Sequence, residues 1–226
     1  MSMPFYVSPE QVMNDKAQYA RKNIARGRPL VGIVYADGVL LAAENPSSVL
    51  HKISEIYDRI AFGGVGKYSE FDGLRRAGVQ FADVRGYQYS REDVDARSLA
   101  NAYGQMMAHT FTNEMKPLEV EILVAEVGVG PGEDQIFRIT FDGVVLDEDR
   151  YAVLGGEADP ITERLKDSWS EGLSVGDALR TARGALAGPE RTLEARSLEV
   201  AVLSRSNGRR AFDRLDGEAL AELLAG

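Results

Sequence analysis

Short β-strand patterns and longer helical patterns alternate in blocks along this chain of 226 residues. Strand patterns with hairpin signals come first, a pair of helical patterns follows, and the same order is then repeated before a closing hairpin. Neighbouring strands joined by tight turns predict antiparallel sheets, and helices that arrive in pairs predict a helical layer on each outer side. The sequence therefore predicts an α+β fold, a four-layer αββα sandwich.

The first predicted element is a helix over residues 8–26. Ser8 supplies an N-cap hydroxyl, Pro9 suits the first helical position, and Gln11 can return the capping hydrogen bond. Apolar residues recur at helical spacing in a narrow stripe, so the helix is expected to lie on a surface. The stretch before it is apolar and uncapped, which predicts a mobile segment at 1–7.

The strand and helix patterns have recognisable turn signals between them. Two strand patterns, 30–35 and 39–44, flank Asp37-Gly38, a pair typical of a tight hairpin turn. Two more, at 53–60 and 60–66, would complete a meander of about four strands. Later strand patterns lie at 120–128, 134–143, 151–156, 198–206 and 209–215, and the later helical patterns at 67–82, 90–115, 161–172, 174–188 and 217–225.

Charge and residue usage narrow the classes of function. There are 35 acidic and 26 basic residues, and a net charge of −9 offers no broad cationic face for nucleic acid. Cysteine is absent and histidine occurs only at His51 and His109, so no cofactor or metal cluster is expected. No apolar run approaches the roughly 20 residues of a membrane helix. These features predict a single domain over 8–226, in the cytoplasm, without nucleic-acid or membrane partners.

Several ordered blocks of the chain are similar to one known family. They run from FYVSPEQVMNDKAQYARKNIARG through VLLAAENPSSVLHKISEIYDRIAFGGVGKYSEFDG to KPLEVEILVAEV and PITERLKDSWSEGLSVGDALRTA. Over about residues 4–205 these blocks resemble the α-type subunits of the 20S proteasome, most closely those of actinobacteria. The resemblance implies the αββα fold of the N-terminal nucleophile hydrolases with an extra N-terminal helix, for which residues 8–26 are the candidate.

The resemblance also implies a function and partners. Subunits of this type form seven-membered outer rings on rings of β-type subunits, whose N-terminal threonine cuts peptide bonds. Such a chain is a structural subunit of a threonine-type endopeptidase and is not an enzyme by itself. The implied partners are a homo-heptameric α ring, the β subunits, an AAA ATPase ring or ATP-independent activator that docks by its C-termini, and unfolded protein substrates in transit.

The residues that would perform β-type chemistry are absent from their place. An N-terminal nucleophile needs a hydroxyl or thiol beside a free α-amine, whose pKa of about 7.7 to 8.0 suits a base. Arg28 stands at that position after a 27-residue leader, and no Thr, Ser or Cys lies between Gly27 and Tyr35. No catalytic residue is therefore predicted. An autoprocessed threonine peptidase, resembling a β-type subunit, and a soluble small-ligand module remain as alternatives.

By the resemblance, two charged residues lie near positions that are catalytic in β-type subunits. Glu44 lies near the position of the catalytic carboxylate, and we expect it to be a hairpin-end carboxylate that bonds neighbouring backbone. Lys52 lies near the position of the catalytic lysine. The resemblance assigns Lys52 to a pocket between adjacent subunits, where it would pair with the C-terminal carboxylate of a regulator. A solvated lysine is the alternative, and the neighbouring His51 is expected to be exposed.

The resemblance gives the start of the chain the role of a gate. Seven copies of an apolar segment that converge on the ring axis could bury aromatic surface mutually and close the pore. Docking of a regulator would then shift the population towards open gates. A frayed terminus is the alternative. The candidate gate residues are Met1, Ser2, Met3, Pro4, Phe5, Tyr6, Val7, Ser8 and Pro9.

Overall fold

The computed structural model describes residues 8–225, which form ten strands and six α-helices. The strands are β1 Leu30–Tyr35, β2 Gly38–Glu44, β3 Ile53–Tyr57, β4 Ile60–Gly66, β5 Val120–Glu126, β6 Gln135–Ile139, β7 Val145–Asp147, β8 Tyr151–Leu154, β9 Leu198–Ser204 and β10 Phe212–Leu215. The helices are α1 Pro9–Ile24, α2 Tyr68–Gln88, α3 Ala96–Asn113, α4 Ala158–Ser168, α5 Val175–Ala187 and α6 Gly217–Ala225.

The strands form two five-stranded antiparallel sheets that face each other. The first has the order β10-β9-β2-β1-β8 and the second the order β3-β4-β5-β6-β7. Leu30 and Leu41 of the first sheet share an apolar cluster with Leu123 and Ile136 of the second. Helices α4 and α5 cover the outer face of the first sheet, and α2 and α3 cover that of the second. The predicted αββα sandwich is confirmed.

The first four strands do not form a single meander, and that prediction was wrong. β1 pairs with β2 in the first sheet, whereas β3 pairs with β4 in the second. Residues 45–52 carry the chain from one sheet to the other. Alternation of apolar and polar residues indicates that a strand exists, but it does not say which sheet the strand joins.

The turn between β1 and β2 is shifted by one residue from its predicted place. Ala36 and Asp37 form the turn, because Tyr35 already pairs with Gly38. Gly38 is thus the first residue of β2, with φ +145°, and a Cβ there would lie 2.0 Å from the carbonyl oxygen of Leu203. Only glycine accommodates both this φ and this close approach.

The helical pattern predicted over 90–115 divides into two elements. A 3₁₀ turn at Arg91–Asp93 precedes α3. Asp95 caps α3, because its Oδ1 accepts a hydrogen bond from the Ser98 N–H at 2.7 Å. The short strand β7, at one edge of the second sheet, was not predicted, since three residues are too few for a periodic pattern.

Helix α1 begins where the sequence predicts it. The Ser8 hydroxyl accepts a hydrogen bond from the Gln11 N–H at 3.2 Å. The expected return bond is absent from the described residues, because Gln11 Nε2 donates instead to Asp15 Oδ1 at 2.8 Å. The helix lies on the surface, and its two buried residues are Ala20 and Ile24.

The predicted gate falls almost entirely outside the described residues. Residues 1–7 are not described, and of the nine candidate gate residues only Ser8 and Pro9 belong to the described range, at the start of α1. Within 8–225, no helix is long and apolar enough to cross a membrane.

Candidate functional site

A small cavity of about 260 Å³ lies where the end of α1 leads into β1, beside the start of α4. Its wall carries two arginines, Arg28 and Arg191, and one buried carboxylate, Glu44. The remaining lining residues are Ala25, Gly27, Pro29, Gly156 and Glu157. This cavity brings together Arg28 and Glu44, two of the positions singled out from the sequence.

The register of the first hairpin brings Arg28 and Glu44 together. Leu30 pairs with Ala43, and the Glu44 N–H donates to the Pro29 carbonyl oxygen at 3.2 Å. The end of β2 therefore lies beside the residues that precede β1. Arg28 Nη1 is 2.7 Å from Glu44 Oε1 as a result.

Glu44 is held by side chains, and the expectation that its carboxylate bonds neighbouring backbone was wrong. The residue is only 8% exposed. Its Oε1 accepts from Arg28, and its Oε2 lies 3.3 Å from Arg191 Nη2, a guanidinium that also donates to the Leu186 carbonyl oxygen at 3.2 Å. A buried carboxylate needs such charged partners, because leaving it unpaired costs several kcal/mol or more.

Lys52 completes the group. Its Nζ donates to the Arg28 carbonyl oxygen at 2.5 Å, so the ammonium lies beside the backbone of a residue that lines the cavity. Burial lowers the pKa of Lys52 to about 8; Glu199 and Glu44 act against this shift, whereas Arg28 adds to it. The side chain is therefore not fully solvated, in contrast to the alternative of a solvated lysine. An ammonium in this setting gains more from a nearby carboxylate than an ammonium in open solvent does.

Glu199, on β9, fixes the backbone on both sides of the Lys52 side chain. Its carboxylate accepts from the N–H groups of Lys52, at 2.8 Å, and Ile53, at 3.1 Å. Asn45 Nδ2 and Arg214 Nη1 also donate to it, each at 2.7 Å. Burial alone would raise the pKa of Glu199, but these hydrogen bonds together hold it below its usual value.

Sequence reasoning identified Glu44 and Lys52 but missed Glu199 and Arg191. One signal for Glu199 existed, because a glutamate inside the apolar run LEVAVL is buried only when it is paired. No local pattern distinguishes Arg191. The expectation for His51 holds: the residue is exposed, and its Nδ1 lies 3.2 Å from Glu199 Oε1.

The arrangement favours carboxylate binding over covalent chemistry. The nitrogen of Arg28 is part of a peptide bond, and β1, of sequence LVGIVY, carries no hydroxyl or thiol beside the cavity. Lys52 and Arg28, by contrast, place a compact ammonium and a half-exposed guanidinium at one edge. Both are strong donors to carboxylate oxygens.

Two facing antiparallel sheets between helical layers, with this cleft at one end of β1 and β2, define the class of N-terminal nucleophile hydrolase folds. Comparison with known proteins narrows the class. The sequence profile of the family described as "Proteasome subunit" matches residues 24–203. The chain belongs to the proteasome subunit family.

Its relatives place it among the α-type members of that family. "Proteasome subunit alpha" of Acidimicrobium ferrooxidans is 58% identical over 224 residues, which cover 99% of this chain and 97% of the relative. The protein of the same description from Sanguibacter keddieii is 56% identical over 230 residues, with 100% and 90% covered. That from Kineococcus radiotolerans is 56% identical over 236 residues, with 100% and 99% covered. The resemblance drawn from the sequence blocks is confirmed.

Proposed function

We propose that this chain is a non-catalytic α-ring subunit of a 20S proteasome core particle in the cytoplasm. It forms a homo-heptameric outer ring on a ring of β subunits, supports their assembly, gates the passage of unfolded protein substrates, and docks an ATPase or ATP-independent regulator. The observation that carries the proposal concerns residue 28, where a nucleophile would have to lie. An arginine occupies this position, follows Gly27 in the chain and pairs with Glu44.

The absence of autonomous catalysis follows from chemistry at that position. A hydroxyl and a free amine on one residue are required for the amine to act as the base. Residue 28 has neither, because its nitrogen is acylated by Gly27 and its side chain is a guanidinium. Lys52 donates to the backbone carbonyl oxygen of Arg28, and residue 28 offers no hydroxyl for Lys52 to activate.

The docking role of Lys52 is supported by its position and charge. A single carboxylate contact at a partly screened lysine is modest, on the order of 1.5 to 3 kcal/mol. Seven equivalent sites on a ring would act together, because linking binding groups raises their effective concentration. The exposed apolar side chains of Val49 and Leu50 lie just before Lys52 in sequence and could contact an apolar residue of the docking segment.

The gate role is proposed for Met1 to Pro9 on the strength of the family alone. Ser8 and Pro9 begin α1 with an N-cap, which gives the preceding residues a defined point of departure. A segment that opens and closes needs two states of similar free energy, so that regulator docking can shift their populations.

Co-expression with the β subunit of the same genome tests the proposal. The chain alone should hydrolyse no fluorogenic peptide, because it offers no activated nucleophile. Together the two chains should form a particle whose native mass corresponds to stacked seven-membered rings and which hydrolyses the peptide. A chain that stays monomeric in the presence of the β subunit would contradict the proposal and would favour a soluble ligand-binding module.

A further inference from the structure

We propose that Arg28 is a second carboxylate-binding residue of the docking site, which acts beside Lys52 on the C-terminal carboxylate of the regulator. The inference rests on the proposed docking function of Lys52 and adds the neighbouring group that completes it. It also gives Glu44 a role: the buried carboxylate positions Arg28 and, by its charge, restrains the affinity for the incoming carboxylate.

The Arg28 guanidinium has N–H groups that bond no acceptor among the described residues. Its side chain is 52% exposed and lines the cavity. Among residues 8–225 it bonds only Glu44, through Nη1, which leaves the Nε and Nη2 edge without a protein acceptor in that range. Two parallel N–H groups on one edge match the two oxygens of a carboxylate, a geometry that lysine cannot offer.

The backbone of Arg28 holds the Lys52 ammonium near the Arg28 guanidinium. Lys52 Nζ donates to the Arg28 carbonyl oxygen at 2.5 Å, while the Arg28 side chain lies on the cavity wall. The Arg28 charge acts on Lys52, so a carboxylate that approaches Lys52 enters the field of Arg28 as well. Burial brings the pKa of Lys52 down to about 8, so its charge depends on pH near neutrality, whereas a guanidinium stays charged.

The charges around the cavity favour an anion locally, although the chain as a whole carries −9. Arg28, Arg191 and Lys52 lie around the buried Glu44, while Glu199, the other buried carboxylate beside Lys52, is engaged by Arg214 and Asn45. Arg191 contacts Glu44 from the other side, so Glu44 keeps a charged partner when Arg28 also binds a ligand. Glu157 lines the cavity too, but it is exposed, and its charge is screened by solvent.

The test is carried out on the assembled particle with a fluorescein-labelled peptide of the last eight residues of the regulatory ATPase from the same genome. The same peptide with a C-terminal amide is the reference. Fluorescence anisotropy at pH 6.5, where Lys52 is charged, gives the ratio of the two affinities. This carboxylate preference isolates recognition of the terminal charge from all other contacts.

Two substitutions should change the carboxylate preference in opposite directions. Arg28→Gln removes the guanidinium and should lower the preference about tenfold, the effect of one charge-assisted contact. Glu44→Gln keeps an oxygen for Arg28 Nη1 but removes the opposing charge, and should raise the preference roughly three- to tenfold. Glu163→Gln is the matched control, since it removes the same charge from an exposed side chain of α4 outside the cavity lining, and should change the preference by less than about twofold.

The outcomes separate this inference from the docking proposal itself. A gain with Glu44→Gln and a loss with Arg28→Gln support the inference, because a merely structural role of the pair would not produce a gain. If both variants keep the wild-type preference while Lys52→Ala abolishes it, the inference is overturned and the docking function stands. If Lys52→Ala leaves the preference unchanged, the proposed docking role of Lys52 is wrong.

Discussion

Replacing Lys52 with alanine is expected to reduce regulator-stimulated protein degradation by the assembled particle at least about tenfold. The substitution removes the ammonium that the structure holds at the cavity edge, 2.5 Å from the Arg28 carbonyl oxygen. One charge-assisted hydrogen bond to a carboxylate contributes on the order of 1.5 to 3 kcal/mol, and the loss is repeated at every site of a ring. The measurement is the rate of degradation of an unfolded protein with regulator, divided by the rate without it.

Lys166→Ala is the matched control for this experiment. Lys166 lies on α4 with an exposed side chain, and its nearest charged partner, Glu163, is 3.9 Å away. It should leave the stimulated rate unchanged, because an exposed pair of this kind contributes about 0 to 1 kcal/mol. Native mass must show that both variants assemble. A fully stimulated, assembled Lys52→Ala particle would show that the docking role is wrong.

The second large effect is expected from Glu199→Ala, which should lower the free energy of unfolding of the chain by about 3 to 5 kcal/mol. The carboxylate accepts from the N–H groups of Lys52 and Ile53 and from Asn45 Nδ2 and Arg214 Nη1. Without it, these donors lose their acceptor in a buried place, and each unsatisfied group is costly. For a chain of this size the melting temperature should fall by about 6 to 20 °C in differential scanning calorimetry.

Glu163→Ala removes an exposed glutamate from α4 and serves as the reference for that comparison. Its melting temperature should stay within about 2 °C of the wild type, since exposed substitutions rarely exceed 0.5 kcal/mol. An equally small change for Glu199→Ala would mean that the buried carboxylate does not hold the segment around Lys52.

The layered architecture could be predicted from the sequence, whereas the assignment of the strands to the two sheets could not. Short alternating runs and paired helical patterns suffice for the sandwich, because each element must bury its apolar face against another layer. The sheet to which β3 belongs depends on the path of residues 45–52, where Asn45 reaches the distant Glu199. No periodicity in the segment itself encodes that contact.

The residues of the candidate site also differ in whether the sequence could reveal them. Glu44 and Lys52 could be found because both lie in one sequence block that resembles a known family. Arg191 and Glu199 each act on a partner 147 positions away, Glu44 and the Lys52 backbone respectively. Local patterns carry no information on such pairs, and only the fold brings them together.

We propose that residue 28 leaves this hydrolase scaffold without a nucleophile and that the chain works as a non-catalytic subunit. Intact-mass spectrometry tests this most directly, on the chain purified alone and on the chain recovered from the particle formed with β subunits, together with a peptidase assay of the isolated chain. We expect the bond before Arg28 to stay uncleaved and the isolated chain to hydrolyse no peptide. A shortened chain that begins with Thr, Ser or Cys and cleaves peptides without a β partner would contradict it.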